Sequence, residues 1–286
     1  MVHATAPTHP GARALLGAVC APSPRAEPTP PVAIVCAHPD DEIVGAGGRL
    51  PHLHDVRVVH VTDGAPRDGL DAAALGFATR TAYAQARATE RARALALAGV
   101  RPAQLHDVGL CDQEASHTLF ELALYLTELF ELLRPRLVLT HAYEGGHPDH
   151  DATALAVHAA TTRIRERGGA APAVAEMTAY HARGAEMVTG EFLPVADCEP
   201  RTVTLREEER ALKQAMLACH ATQQRVLAAF PTDTERFRVA PAYDFTAPPH
   251  DGPLFYERFD WGVTGAQWRA LAQEALGLLG HAPAPA

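Results

Sequence analysis

Two short stretches concentrate residues that do chemistry. In "VAIVCAHPDDEIVGAGG" (residues 32–48) an apolar, strand-forming run ends at a histidine, a proline and three consecutive acids: His38, Pro39, Asp40, Asp41 and Glu42. In "RLVLTHAYEGGHPDHD" (136–151) a second apolar run leads to His147, Pro148, Asp149, His150 and Asp151. Carboxylates gathered in a partly buried crevice repel one another unless a cation offsets their charge. Imidazole nitrogen and carboxylate oxygen are donors that Zn²⁺ accepts, and a catalytic zinc commonly uses three protein ligands and keeps one position for water. The two stretches together therefore predict a mononuclear site of two histidines and one aspartate. For either stretch alone a plainer reading stands beside this one, because acids at a helix start accept its free N–H groups and suit its dipole. Two clusters of convergent titratable groups, each directly after a buried strand, favour the site.

Residues a hundred positions apart meet only if the elements carrying them are neighbours. From Val32 onward apolar runs and helical patterns alternate: "VAIVCA", a helix opening near Ile43, "VRVVHVT" (56–62), and an Ala- and Arg-rich helix that stops at Gly99. "QLHDVG" (104–109), the helix "TLFELALYLTELFELLR" (118–134), "RLVLTH" (136–141) and a helix over 151–167 follow. The alternation predicts an α/β, Rossmann-like fold, a mostly parallel sheet with helices on both faces, in which ligands sit beyond the carboxyl ends of the strands. A smaller C-terminal elaboration is expected. In it "AVAEMTAY" and "TVTL" extend the sheet, "REEERALKQAMLACHATQQRVLAAF" forms one amphipathic helix, and "GPLFYERFDW" reads as a late strand or edge. Residues 231–253, with prolines at 231, 241, 248, 249 and 253, read as an ordered surface loop. The expected organisation is a loosely attached Pro/Ala-rich arm over 1–30, a single domain over 31–280 and a tail over 281–286.

Composition narrows the function classes. A formal net charge of -9 over 286 residues argues against coating nucleic acid or an anionic membrane. No apolar run approaches the roughly 18–20 residues of a membrane helix, and "ARALLGAVCA" lacks the basic segment that precedes a secretory signal. Five scattered cysteines with no C-x-x-C spacing read as reduced thiols of a cytoplasmic protein. "GAGG" (45–48) lacks the third glycine of a dinucleotide fingerprint, since position 50 is leucine, and three acids precede it where a pyrophosphate would sit. With 16 histidines in the chain, an isolated one carries little weight. The Arg- and Glu-rich helices read as solvated faces.

The clusters belong to a larger set. "AHPDDE" (37–42), "VTDG" (61–64), "RATE" (87–90) and "GHPDHD" (146–151), in this order, resemble the PIG-L / LmbE-like zinc-dependent N-acetylglucosaminyl deacetylase family, and "LKQAMLACHATQQ" resembles its later K…H..Q helix. The resemblance implies that His38, Asp41 and His150 hold Zn²⁺, a site of N and O donors that Fe²⁺ or Co²⁺ also suits. It implies that Asp40 is the general base and that protonated His147 stabilises the oxyanion. Asp149 would orient His147 and raise its pKa. Arg87 is a candidate substrate contact, tied in place by Glu90. Glu42 either caps the helix or orients a ligand. Some thiol-sugar deacetylases of the family carry a tyrosine two positions before the second H-P-D-H, where this chain has Gly145, so nearby Tyr143 is a candidate to swing into the site. His220 is placed to reach the pocket rim, and "RDGLDAAALGFATRTAYAQ" (67–85) to lie over it.

The reaction so implied is hydrolysis of the acetamide of an N-acetylglucosamine-type moiety in a small sugar conjugate, giving acetate and a free amine. A zinc amidase for another acyl group or a thiol-sugar conjugate, and a catalytically silent sugar-binding protein, are the alternatives. The intact clusters weigh against the silent reading, since an unligated buried Asp40 is costly to keep. Family members often associate into homo-oligomers, although no apolar stripe here specifies a partner face.

Overall fold

Every residue of Val32–Cys36 is buried, as a continuous apolar run must be when helices cover both faces of a sheet. Around this strand the computed structural model, which describes residues 4–5, 9, 11–22 and 28–280, places the following elements. In chain order they are β1 (Ala4–Thr5), α1 (Ala12–Cys20), β2 (Val32–Cys36), α2 (Asp41–Ala46), β3 (Val56–Pro66), α3 (Leu70–Ala74), α4 (Arg80–Leu97), β4 (Leu105–Asp112), α5 (Leu119–Leu133) and β5 (Leu137–His141). Then come α6 (Pro148–Glu166), β6 (Ala173–Met177), β7 (Tyr180–Arg183), β8 (Glu186–Thr189), β9 (Arg201–Thr204), α7 (Glu207–Ala218), α8 (Gln224–Leu227), β10 (Thr234–Val239), β11 (Ala242–Tyr243) and α9 (Gly265–Leu278).

The central sheet has seven strands in the order β4-β3-β2-β5-β6-β10-β9. The first five are parallel, and β10 pairs antiparallel with both β6 and β9. The strand order reverses between β2 and β5, and such a switch point opens a crevice beyond the carboxyl ends of the two strands. The two H-P-D stretches follow these strands. Alternation along β2 sends Ala33 and Val35 to one face, where they pack with Leu122, Leu126 and Phe130 of α5, Leu155 of α6 and Trp268 of α9. Val32, Ile34 and Cys36 face the other side with Leu16 and Val19 of α1 and Leu95 of α4. A third cluster joins Ile43 and Val44 of α2 to Met216 and Leu217 of α7.

Several expectations for the flanks give way. Residues 12–20, within the stretch expected to be a loose arm, form α1, whose Leu16 and Val19 are buried; the carbonyls of Val19 and of Ala21, just past the helix, accept from the buried Arg49 guanidinium. The stretch 231–253 is not a surface loop throughout: β10 lies inside the sheet, with Pro231 and Pro241 outside its bounds. The charges that disguise it are paired, Glu235 with Lys213 at 3.0 Å and Arg238 with Glu176 at 2.6 Å. "GPLFYERFDW" holds no strand; Phe255–Arg258 winds into a 3₁₀ turn whose preceding N–H, at Leu254, donates to Glu257. The long C-terminal helix stops at Ala218, because Thr222 N–H and Oγ1 both turn to Glu90. Among the described residues no helix is long and apolar enough to cross a membrane.

Candidate functional site

The turn from β2 into α2 explains how three adjacent acids serve different ends. Asp40 occupies the N-cap position of α2, but its side chain makes no capping bond. Its φ of 138° turns the carboxylate toward α4, where Oδ2 accepts from Arg87 Nη2 at 2.8 Å. Arg87 is itself fixed by the carbonyls of Gly64, at 2.6 Å, and Pro39, at 3.0 Å. Gly64 has φ +68°, and a Cβ there would overlap the guanidinium, so both its conformation and its bareness are required. Asp41 points the other way. Its Oδ2 accepts the His38 N–H at 2.7 Å, and Oδ1 lies 3.3 Å from His150 Nε2. Glu42 Oε2 accepts from His60 Nε2 at 2.9 Å.

The second cluster is organised by the start of α6. Pro148 fills the first turn, where no donor is needed. His147 is the N-cap, and its Nδ1 accepts the Asp149 N–H at 3.1 Å. Capping thus fixes the tautomer, leaving the His147 proton on Nε2, toward the cleft. Asp151 Oδ1 accepts from the N–H groups of Glu144 and Gly145. Trp268 Nε1 donates to the Pro148 carbonyl at 3.1 Å, so α9 braces the same turn.

Across the switch point His38 Nδ1, His150 Nε2 and the Asp41 carboxylate converge. The separations are 3.2 Å between the two nitrogens, 3.4 Å from His38 Nδ1 to Asp41 Oδ2 and 3.3 Å from His150 Nε2 to Asp41 Oδ1. Tetrahedral zinc, with bonds of about 2.0–2.1 Å to N and O, requires ligand atoms roughly 3.3 Å apart, so this donor set fits the ion. His38 Nε2 lies 3.1 Å from Asp112 Oδ1, and donation there leaves Nδ1 free, the arrangement usual for a metal-ligating histidine. Burial and the neighbouring His141 push the His150 pKa down to about 4, which keeps its lone pair available. Burial works against charge on His38, yet Asp112, Asp149 and Asp41 outweigh it and hold its pKa above the ordinary value; the pocket favours positive charge. Burial also drives Asp40 up to about 7, against the pull of Arg87.

His38, Asp40, Asp41, Asp112, His147 and His150 line a cleft of about 540 Å³. Asp71, Tyr83 and Arg87 border it from the 67–85 side and α4, while Val226, Phe230, Phe259 and Trp261 form an apolar margin. Four readings of individual residues are corrected. Tyr143 does not enter the cleft: its ring stacks on Trp268 in the core, and its hydroxyl donates to the Ala247 carbonyl at 2.9 Å. Asp149 does not raise the His147 pKa. Its carboxylate accepts from Gln113 and Ala115 N–H, lies 3.4 Å from His38 Nε2 and stays 4.0 Å from His147 Nδ1, and burial and His38 lower His147 well below the ordinary histidine value. Glu90 binds Thr222 instead of Arg87. His220 is fully buried and does not line the cleft. Nor is the Arg-rich helix α4 a solvated face, since Arg87, Glu90 and Arg91 are buried.

Asp112, Tyr180 and Trp261 are site residues that the motifs did not reveal. Asp112 ends β4, and its place at a parallel strand's carboxyl end was the available signal. Burial opposes its ionisation, but His38 prevails and holds its pKa below the usual range. Asp112 and Asp149 also form a second buried group with His38 and His147.

Residues 33–161 match the family described as PIG-L: GlcNAc-PI de-N-acetylase. A 1D-myo-inositol 2-acetamido-2-deoxy-alpha-D-glucopyranoside deacetylase from Mycobacterium sp. (strain KMS) is 34% identical over 163 residues, covering 49% of this chain and 52% of that protein. The chain thus spans about half the length of this curated relative. The deacetylase of the same name from Corynebacterium diphtheriae is 29% identical over 219 residues, 66% of this chain and 74% of the relative. Among solved structures, a deacetylase of teicoplanin biosynthesis aligns with TM-score 0.58 at 18% identity, over 74% of this chain and 99% of that one. N,N'-diacetylchitobiose deacetylase from Pyrococcus horikoshii aligns with TM-score 0.54 at 18% identity, over 73% and 83%. These structural likenesses establish the fold.

Proposed function

We propose that this chain, whose residues 33–161 match the PIG-L family, is a zinc-dependent N-deacetylase acting on an N-acetylglucosamine-type moiety of a small sugar conjugate. The observation that carries the reading is the tetrahedral spacing of His38 Nδ1, Asp41 and His150 Nε2 beside an Asp40 carboxylate that neither caps its helix nor joins the donor set. The names of the relatives, deacetylases of an acetamido sugar joined to inositol, support the substrate class.

His38, Asp41 and His150 would hold the ion; when bound, zinc supplies a Lewis acid and lowers the pKa of water toward about 7. Asp40 accepts a proton from the attacking water and returns it to the departing nitrogen, so that amide and water become acetate and amine. Arg87 keeps the Asp40 carboxylate in line through the 2.8 Å contact. His147, its Nδ1 committed to capping, presents Nε2–H to the developing oxyanion as a neutral donor. Asp112 and Asp149 hold the His38 ring. Asp40→Asn is expected to lower kcat by about 10²–10⁴-fold with zinc content unchanged, measured as acetate release from N-acetylglucosaminyl-inositol. Wild-type turnover in that variant would remove Asp40 from the role, and a zinc-loaded wild type that releases no acetate from any N-acetylglucosaminide would favour another acyl group.

A further inference from the structure

Asp40 carries a side chain at φ 138°, ψ -25°, backbone space that residues with a Cβ avoid unless their surroundings impose it. That torsion is what turns the carboxylate from the helix end toward Arg87. On its carbonyl side Asp40 is held as any N-cap is, accepting from Ile43 N–H at 2.9 Å and Val44 N–H at 3.0 Å. On its amide side the restraint is unusual. The Asp40 N–H donates to Glu42 Oε2, two residues on, at 3.1 Å. The same oxygen accepts from His60 Nε2 at 2.9 Å, and His60 Nδ1 faces Arg91 Nη1 at 3.3 Å. Arg91 then closes on Asp107 of β4 through both terminal nitrogens. Glu42 and His60 have no exposed side-chain surface. Burying a carboxylate and an imidazole together costs desolvation, and helix capping alone does not demand it, since an exposed acid caps as well.

We propose that Glu42, clamped by His60, is a positioning residue that holds Asp40 in its strained conformation and so aims the general base. The inference rests on the reading of Asp40 as that base. What it requires of Glu42 is reach: an acceptor oxygen at the Asp40 N–H. Glu42→Gln keeps an acceptor at the same reach and removes the charge, whereas Glu42→Asp keeps the charge and withdraws the oxygen by one methylene.

Crystal structures and kinetics of the zinc-loaded variants test it, with N-acetylglucosaminyl-inositol as the probe. In Glu42→Asp, Asp40 is expected to leave the positive-φ region and lose its Arg87 contact, and kcat to fall by about ten- to a hundredfold while KM and zinc content hold. Glu42→Gln is expected to keep the Asp40 torsion and to exceed Glu42→Asp in kcat. Asp40 unmoved in Glu42→Asp, or Glu42→Asp turning over faster than Glu42→Gln, would overturn the proposal, the latter in favour of a purely electrostatic role. Should Glu42→Asp not fold, the Asp40 torsion in Glu42→Gln and His60→Gln decides, because both keep a hydrogen-bonding chain to the Asp40 amide. Loss of the torsion in both would then overturn it. Failure of the underlying reading looks different: Asp40→Asn would itself be fully active.

Discussion

At the residue scale, one local sequence assigns three carboxylates to three environments. Asp40 faces Arg87, Asp41 faces His150, and Glu42 faces His60. Backbone torsion sets Asp40 apart, because its φ of 138° turns the carboxylate away from the helix end and toward Arg87. Gly64 serves the same end from a distance. Gly64→Ala places a Cβ at φ +68° against the Arg87 guanidinium; the strain is expected to cost about 1–3 kcal/mol and to release Asp40. Thermal unfolding and kcat should fall together, and a variant with unaltered kcat would show that the Arg87 clamp is dispensable. The proposed metal donors and Asp40 were legible as a spacing because both lie in runs that end buried strands. Tyr180 and Trp261 were not, since each is a single residue on a separate segment with no local pattern around it, and Asp112 offered only its place at the end of a strand. Tyr143 misled for the converse reason: proximity along the chain says nothing about which way a ring turns when the core offers Trp268 and Phe245 to pack on.

At the scale of elements, the switch point between β2 and β5 does the positioning, and α7 locks the α2 turn from behind. Lys213 Nζ donates to the Val44 carbonyl at 2.8 Å and to Glu235 at 3.0 Å, while Glu235 Oε1 also accepts the Gly48 N–H at 2.7 Å. Both side chains are fully buried. Removing one partner strands the other's charge, so Lys213→Met is expected to destabilise the protein by about 3–5 kcal/mol. The double variant with Glu235→Gln should recover much of that loss in urea unfolding. Simple additivity of the two single variants would mean that the pair is not coupled. The two strands at the switch point, β2 and β5, were readable as nearly unbroken apolar runs. β10 was not, because Glu235, Arg236 and Arg238 resemble a solvated loop until their partners on other elements are known.

For the whole molecule, buried acids make stability depend on pH. Glu144 and Glu176 share Arg238, at 3.4 and 2.6 Å. Burial, against the pull of that guanidinium, raises each from 4.5 to about 7. A carboxyl whose folded pKa is raised binds its proton more tightly when folded. Its contribution is full below the unfolded value and is lost as pH rises through the folded one. Glu176→Gln should therefore gain on the wild type in unfolding free energy as pH rises from about 4.5 to about 7; a constant difference over that window would contradict the assignment. The sequence by itself determined the α/β alternation, the two strand-end clusters and the donor types, because period, propensity and ligand spacing are written within a few residues. Only the tertiary structure decided that 12–20 pack as a helix against the sheet, that the His147 ring caps α6, that Arg87 grips Asp40, and that the three acids of "HPDDE" face three different partners. Those depend on burial and on partners far apart in the chain, which no local pattern specifies.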